Sequence, residues 1–313
     1  MPSKRGYLLI PFDPGPSDPA YFLEPDIQLQ EDRPECLPQG DEVREGEKGI
    51  PPLMEEDRSS YEGKVREVIS EIREDSPLQK VVLSRSECLD RDLKNSPGKL
   101  FDRMNGLYPD AYVHIFHIPG QGTWMGATPE LLFDLQGEEG HTQALAGTRP
   151  KGEGQEWTEK ERREQASVEE HIASVLKGSD IPILERRGPE TVSAGKLEHL
   201  STLFVFSAKA VQEQAGSFLQ CLHPTPAVCG VPRDRALGSI RSKECRPRSF
   251  YSGIIGPWDP IQGSALYVNL RCFRIRENAY ELFVGGGINA DSDPGSEWEE
   301  TVWKAGTMKR IFV

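Results

Sequence analysis

Glu281-Leu-Phe-Val-Gly285-Gly286-Gly287-Ile-Asn-Ala-Asp-Ser-Asp293-Pro294-Gly-Ser-Glu297-Trp-Glu-Glu300-Thr-Val-Trp-Lys304 runs from an apolar strand through three glycines into an acid-bearing helix. Glycine lacks a Cβ and lets backbone approach a ligand closely. Asp293-Pro294 has the form of an N-cap followed by proline at the first helical position. Glu297, Glu300 and Lys304 then fall at i, i+3 and i+7, on one face of the helix. A backbone cradle beside a row of carboxylates suits a small anion held through a metal. The same acids would also complement the helix dipole, and Glu300 to Lys304 has the spacing of an ordinary i,i+4 ion pair.

The rest of the chain determines how this segment is packed. Its 313 residues, 36% of them hydrophobic, suffice for one large domain or two merged lobes. Fifty acids against 37 bases give a net charge of −13. That balance argues against nucleic acid or an anionic membrane as partner, and an anionic substrate would need local cations or a metal. No stretch of about 18 apolar residues suggests a membrane span, and the N-terminus lacks the apolar core of a signal peptide. The six cysteines (36, 88, 221, 229, 245 and 272) show neither CxxC pairing nor zinc spacing, as expected of free thiols in a reducing cytosol. A cytoplasmic protein is the expectation.

Residues 7–11 read as a short strand, and Asp26 to Asp57 as a proline- and acid-rich loop, with 36–57 the only candidate linker. Val65, Val68, Ile69 and Ile72 mark an amphipathic helix. Strands are expected at Lys80–Arg85, Tyr112–His117, Gly122–Met125, Leu131–Leu135, Thr142–Ala146, Leu200–Ser207, Leu266–Ile275 and Tyr280–Val284. Helices are expected near 157–177, 210–221 and 232–243. Strands come in groups with helices between the groups, which favours an α+β protein with large antiparallel sheets over an alternating parallel fold.

Several side chains could carry chemistry. Lys80 opens the strand Lys80-Val-Val-Leu-Ser-Arg85; it is either a strand-end charge reaching solvent or, if partly buried, an amine available as a base. In Gly126-Ala-Thr-Pro-Glu130-Leu-Leu-Phe, Glu130 is either a surface acid or a carboxyl in a dry pocket, where it could serve as a general acid. Ala146-Gly147-Thr148 forms a small-residue turn that permits close ligand approach. Lys160-Glu161-Arg162-Arg163-Glu164-Gln165 has the look of a solvated helix face. Arg271, inside the apolar run Tyr267–Phe273, needs an anionic partner if it is buried.

Taken in order, Lys80–Arg85, Gly126–Leu132, Ala144–Arg149, Leu222-His-Pro-Thr-Pro-Ala-Val-Cys-Gly230, Phe250-Tyr-Ser-Gly253 and Gly285–Thr301 resemble the motif set of the chorismate-utilising enzymes. That family comprises the isochorismate, salicylate, anthranilate and aminodeoxychorismate synthases. The resemblance spans roughly residues 60–313 and is strongest toward isochorismate synthases. It implies two antiparallel sheets packed as a sandwich with helices outside. It also implies a catalytic domain over 58–313, with 1–57 a variable N-terminal part of the same lobe.

By resemblance, Lys80 is the base that activates water and Glu130 the acid that protonates the departing C4 hydroxyl of chorismate. Ammonia-using relatives carry glutamine at the Lys80 position, so no glutamine amidotransferase subunit is expected. Ala146, Gly147, Thr148, His199, Arg271, Gly285, Gly286, Gly287 and Lys304 are the implied substrate-binding residues. The relatives' helix pattern D-x-x-E-H-x-x-V-V-x-x-I falls on Glu161, Glu164, Gln165, Val168, Glu169 and Ile172. Glu164 and Glu300 are thus the implied Mg²⁺ ligands, with Glu161 and Glu297 supporting. Glu170-His171 is an exposed continuation of the helix on the same alignment. The implied product would feed menaquinone or siderophore synthesis. A salicylate synthase and a non-catalytic chorismate-fold binding protein are the alternatives.

Overall fold

A computed structural model describes residues 1–26, 50–74, 77–92, 95–152, 156–194 and 197–313. Most of the loop expected between Asp26 and Asp57 therefore lies outside the described residues. The chain begins with strands β1 (Gly6–Ile10) and β2 (Tyr21–Leu23), helix α1 (Arg58–Glu74), β3 (Lys80–Asp90) and α2 (Pro97–Leu107). Four strands follow: β4 (Tyr112–Ile118), β5 (Gly122–Thr128), β6 (Leu131–Gln136) and β7 (Glu139–Pro150). Next come α3 (Glu159–Gly178), β8 (Ile183–Ala194), β9 (Leu197–Ser207), α4 (Ala208–Gln212) and α5 (Ala215–Leu222). The chain closes with β10 (Gly230–Val231), α6 (Arg233–Lys243), β11 (Ile254–Trp258), β12 (Ser264–Val268), β13 (Cys272–Ile275), β14 (Ala279–Asn289) and α7 (Pro294–Lys309).

The strands form two sheets, ordered β2-β1-β11-β12-β6-β7-β9-β8 and β10-β3-β14-β13-β5-β4, with every pairing antiparallel. Leu9 and Ile255 of the first sheet share a buried cluster with Phe116, Trp124, Cys272 and Phe283 of the second. The sheets therefore pack face to face. Their outer faces are covered by helices, because each helix carries one apolar stripe that must be buried. In α1 that stripe is Tyr61, Val65, Val68, Ile69 and Ile72, packed with Val81 and Leu83 of β3. In α3, Val168, Ile172 and Leu176 lie against the first sheet. The expected α+β sandwich is the observed fold.

One expected strand is not continuous. The apolar run 266–275 divides into β12, which belongs to the first sheet, and β13, which belongs to the second. Arg271 lies in the crossing with φ +48°, a left-handed conformation that ends the strand. Hydrophobic alternation continues through the crossing because both halves are buried, so it cannot register the change of sheet. β13 pairs with β14 only from Phe273↔Leu282 to Ile275↔Tyr280. Beyond Leu282, that edge of β14 is left to other partners.

No helix among the described residues is long and apolar enough to cross a membrane. β-Barrel spans are a separate matter.

Candidate active site

β3 and β14 pair without interruption over eleven residues, with Lys80 opposite Asn289, Val82 opposite Gly287 and Ser84 opposite Gly285. Side chains alternate between faces, so Lys80, Gly285 and Gly287 share the face turned toward the first sheet. Gly286 points to the helix side. None of the three glycines has positive φ, so they are not turn residues. What they provide is space. A Cβ placed on Gly287 would stand 2.7 Å from Lys80 Cε, 3.3 Å from its Nζ and 4.0 Å from Glu164 Oε1. The missing side chain lets Lys80 lie across the strand toward Glu164. Among the described residues, neither the Lys80 amine nor the Glu164 carboxylate is engaged in a hydrogen bond or ion pair.

Glu130 enters from the first sheet, just ahead of β6, where its backbone carbonyl accepts from Val268 N–H. Burial pushes its carboxyl up to about 7, against the opposing pull of Arg271, Lys304 and Lys80. The carboxyl therefore binds a proton far more readily than an exposed glutamate does, even though three cations act on it. Arg271 is delivered by the sheet crossing, where its carbonyl accepts from Ala127 N–H at 3.1 Å. Burial depresses its pKa, and Tyr251, Tyr108, Glu300 and Glu130 counter that effect.

Lys304 of α7 donates to the Gly285 carbonyl at 2.9 Å, on the edge of β14 that β13 has vacated. It also pairs with Glu300 at 2.6 Å, the i,i+4 contact expected from spacing. The start of α7 is as expected: Asp293 caps it by accepting from Ser296 N–H at 2.8 Å, and Pro294 follows.

The first sheet closes the site through Gly147, which has φ +66° at a register shift between β7 and β9. A Cβ there would meet Glu161 Cβ at 3.0 Å. The Gly147 carbonyl lies 3.0 Å from His199 Nδ1. A carbonyl can only accept, so Nδ1 carries the proton. Burial, with Arg271 and Lys304, lowers the His199 pKa and favours the neutral ring. Ala146 is half-buried opposite Leu200; the Thr148 side chain lies outside the described residues.

Lys80, Glu130, Glu164, His199, Arg271, Gly285, Gly287, Glu300 and Lys304 are thus brought to one seam between the sheets. Two expected metal-supporting acids are not. Glu161 closes a capping box, its Oε2 accepting from Thr158 N–H at 2.9 Å, so its carboxylate terminates α3 instead of reaching the site. Glu297 lies on the far face of β14, its Oε2 3.5 Å from a Cβ on Gly286 and its Oε1 accepting from Ser292 at 2.6 Å. Alternation along β14 puts Glu297 and Gly286 behind the strand. His171 is not exposed either; its Nε2 contacts the Leu222 carbonyl at 2.9 Å and ties α3 to α5, while Glu170 is exposed.

Tyr251, not among the expected site residues, has its hydroxyl 3.0 Å from a Cβ on Gly285 and faces Arg271. The Phe250-Tyr-Ser-Gly253 motif was the signal for it. The sequence signal for the Glu161 cap was Thr-x-x-Glu at 158–161.

A family profile described as "Chorismate binding enzyme" matches residues 28–313. The chain belongs to the chorismate-binding enzyme family. Among its relatives in that family, the isochorismate synthase EntC of Escherichia coli K12 is 34% identical over 247 residues, covering 75% of this chain and 62% of EntC. Isochorismate synthase MenF of the same organism is 29% identical over 248 residues, 75% of this chain and 56% of MenF. The chain thus spans about three fifths of the length of the curated relatives it matches. Among solved structures, DhbC from Bacillus anthracis superposes with a TM-score of 0.79 at 26% identity, covering 98% of this chain and 83% of that one. Anthranilate synthase component I from Streptococcus pneumoniae shares the fold, with a TM-score of 0.70 at 22% identity over 81% of this chain and 58% of that one.

Proposed function

We propose that the protein converts chorismate reversibly to isochorismate. The observation that carries this reading is Glu130, a carboxyl held near neutrality among Arg271, Lys304 and Lys80, across the seam from an unengaged lysine amine. Lys80 takes a proton from water, and the resulting hydroxide forms a bond at C2 of the substrate. The ring diene shifts, the C4–O bond breaks, and Glu130 gives its proton to the departing hydroxyl. One water enters and one leaves, so the ring composition is unchanged and the reverse path uses the same two groups with roles exchanged. Arg271 binds a substrate carboxylate as its anionic partner. The Gly285–Gly287 backbone offers further polar contacts, and His199 stands beside them.

The donor chemistry fits Mg²⁺, which takes one or two carboxylates and completes its shell with water and ligand oxygens. Glu164, whose carboxylate has no cation within 4 Å among the described residues, and Glu300 would hold it. Bound there, the ion would supply positive charge to a dianionic substrate in a chain of net charge −13.

Incubation of purified protein with chorismate and Mg²⁺, followed by chromatography, tests the reaction. Isochorismate as the sole product is expected. Salicylate with pyruvate would identify a salicylate synthase instead, and unchanged chorismate with binding demonstrated would identify a binding protein.

A further inference from the structure

Helix α3 carries Glu164 on the flank of the stripe it buries. At about 100° per residue, Glu164 lies roughly 60° to one side of Glu161, and Glu169 roughly 80° to the other. A small rotation of α3 about its axis would therefore swing Glu164 toward or away from Lys80. Two contacts oppose such a rotation. One is the close approach of Glu161 Cβ to Gly147. The other is polar and fully buried.

Gln165, Glu169 and Thr202 are 2%, 8% and 0% exposed. Gln165 Nε2 lies 3.1 Å from the Ala144 carbonyl, from Glu169 Oε1 and from Thr202 Oγ1. The Ala144 carbonyl and the Glu169 carboxylate can only accept, so the amide nitrogen faces them, and its two hydrogens are shared among the three neighbours. The Thr202 hydroxyl donates in turn to Glu169 Oε1, and Arg186 pairs with Glu169 Oε2 from the surface side. One side chain of α3 is thereby bonded to β7 at Ala144 and to β9 at Thr202. Ala144 lies on the same strand as Gly147, two residues before Ala146. Such a network favours one geometry, because turning α3 would strip these desolvated groups of their partners and add to the one atom, Gln165 Oε1, that already has none among the described residues.

We propose that Gln165, Glu169 and Thr202 form a positioning network that fixes the rotation of α3 and so aims the Glu164 carboxylate at the seam beside Lys80 and Gly287. Its functional readout rests on the metal role proposed for Glu164; its geometric readout does not. Mn²⁺ binding, followed by electron paramagnetic resonance without substrate, gives a measure independent of turnover. Thr202→Val and Glu169→Gln should weaken Mn²⁺ binding by about tenfold, the usual scale for groups that orient a metal ligand. Thr202→Ser, which keeps the hydroxyl, should restore it. With Mg²⁺ saturating, KM for chorismate should stay within about twofold, since uniform substrate binding is untouched.

A Thr202→Val variant that melts earlier but binds Mn²⁺ as the parent does would reduce the network to packing and overturn the proposal. Should Glu164→Gln leave Mn²⁺ binding unaltered, the metal role fails, and crystal structures then decide the network alone. A Glu164 carboxylate displaced from Gly287 in Thr202→Val upholds the positioning role; an unmoved one refutes it.

Discussion

Strand β14 carries two charge clusters on the same face, and they behave as opposites. At Glu281 a fully buried carboxylate meets three guanidiniums: Arg246 bonds Oε1, Arg276 lies at 3.4 Å and Arg274 at 3.7 Å from Oε2. Arg274 also lies over Trp124 at 4.5 Å and Arg246 over Phe283 at 4.6 Å. Four to six residues on, at Gly285 to Gly287, Lys80 and Glu164 face one space without closing on each other, and burial raises the Glu130 carboxyl to about 7. The first cluster spends its charge on the fold. In the second, the Lys80 amine and the Glu164 carboxylate have no direct partner among the described residues. Density of charge does not separate the two; the presence or absence of direct partners does.

The sharpest test of that contrast is removal of the reactive pair. Lys80→Ala and Glu130→Gln should each lower turnover by about 10²–10⁴-fold while leaving the thermal midpoint at pH 5 near that of the parent. If Glu130 is the proton donor as proposed, turnover of the parent should decline as pH rises through about 7, and the residual activity of Glu130→Gln should lack that limb. Glu281→Ala should do the converse. Removing the carboxylate that Arg246, Arg274 and Arg276 share is expected to cost about 3–5 kcal/mol in urea unfolding, with little change in kcat of the folded fraction.

The raised carboxyl also links stability to pH. Its folded value lies above the unfolded one, so its favourable contribution is complete below about 4.5 and is lost as pH rises through about 7. Glu130→Gln should flatten that part of the stability profile by at most about 3 kcal/mol, read from denaturation at pH 5 and pH 8. Gly287→Ala comes next in size. The new methyl displaces Lys80, and a loss of tenfold to about 10²-fold in turnover with intact folding is expected from misplacement alone. The smallest effect distinguishes two acids six residues apart on α3. Glu164→Ala should weaken Mg²⁺ dependence, whereas exposed Glu170→Ala should stay within about 0.5 kcal/mol in stability and leave activity unchanged. The reverse outcome would break the assignment of Glu164.

Most of the sandwich could be read in advance because its strands are apolar and its helices periodic, as in α1 and α3. Several elements were not foreseen, the short strands β2, β10 and β11 among them, and for two longer ones the physical reason is plain. β8 is a sheet edge whose Glu185, Arg186 and Arg187 face solvent, so no alternation marks it. α2 buries only Leu100 and Met104, too few for a stripe. The site was legible where motif and local geometry coincide, at Lys80, Glu130, Arg271 and Lys304. It was not legible where one side chain had two uses open to it. Glu161 went to its own helix end, and Glu297 followed the pleat of β14 to the wrong face. Both outcomes depend on three-dimensional direction, which spacing along one helix does not contain.

The crossing at Arg271 has a mechanical consequence. Its guanidinium is carried by a link that belongs to neither sheet, while Lys80 is rooted in one layer and His199 in the other. A small dianion gripping all three would act as a cross-brace, tying together two layers that are otherwise joined by greasy contact and a few connecting loops. Occupancy should then be felt far from the chemistry, as slower amide exchange in both layers at once and a sharper, later thermal transition.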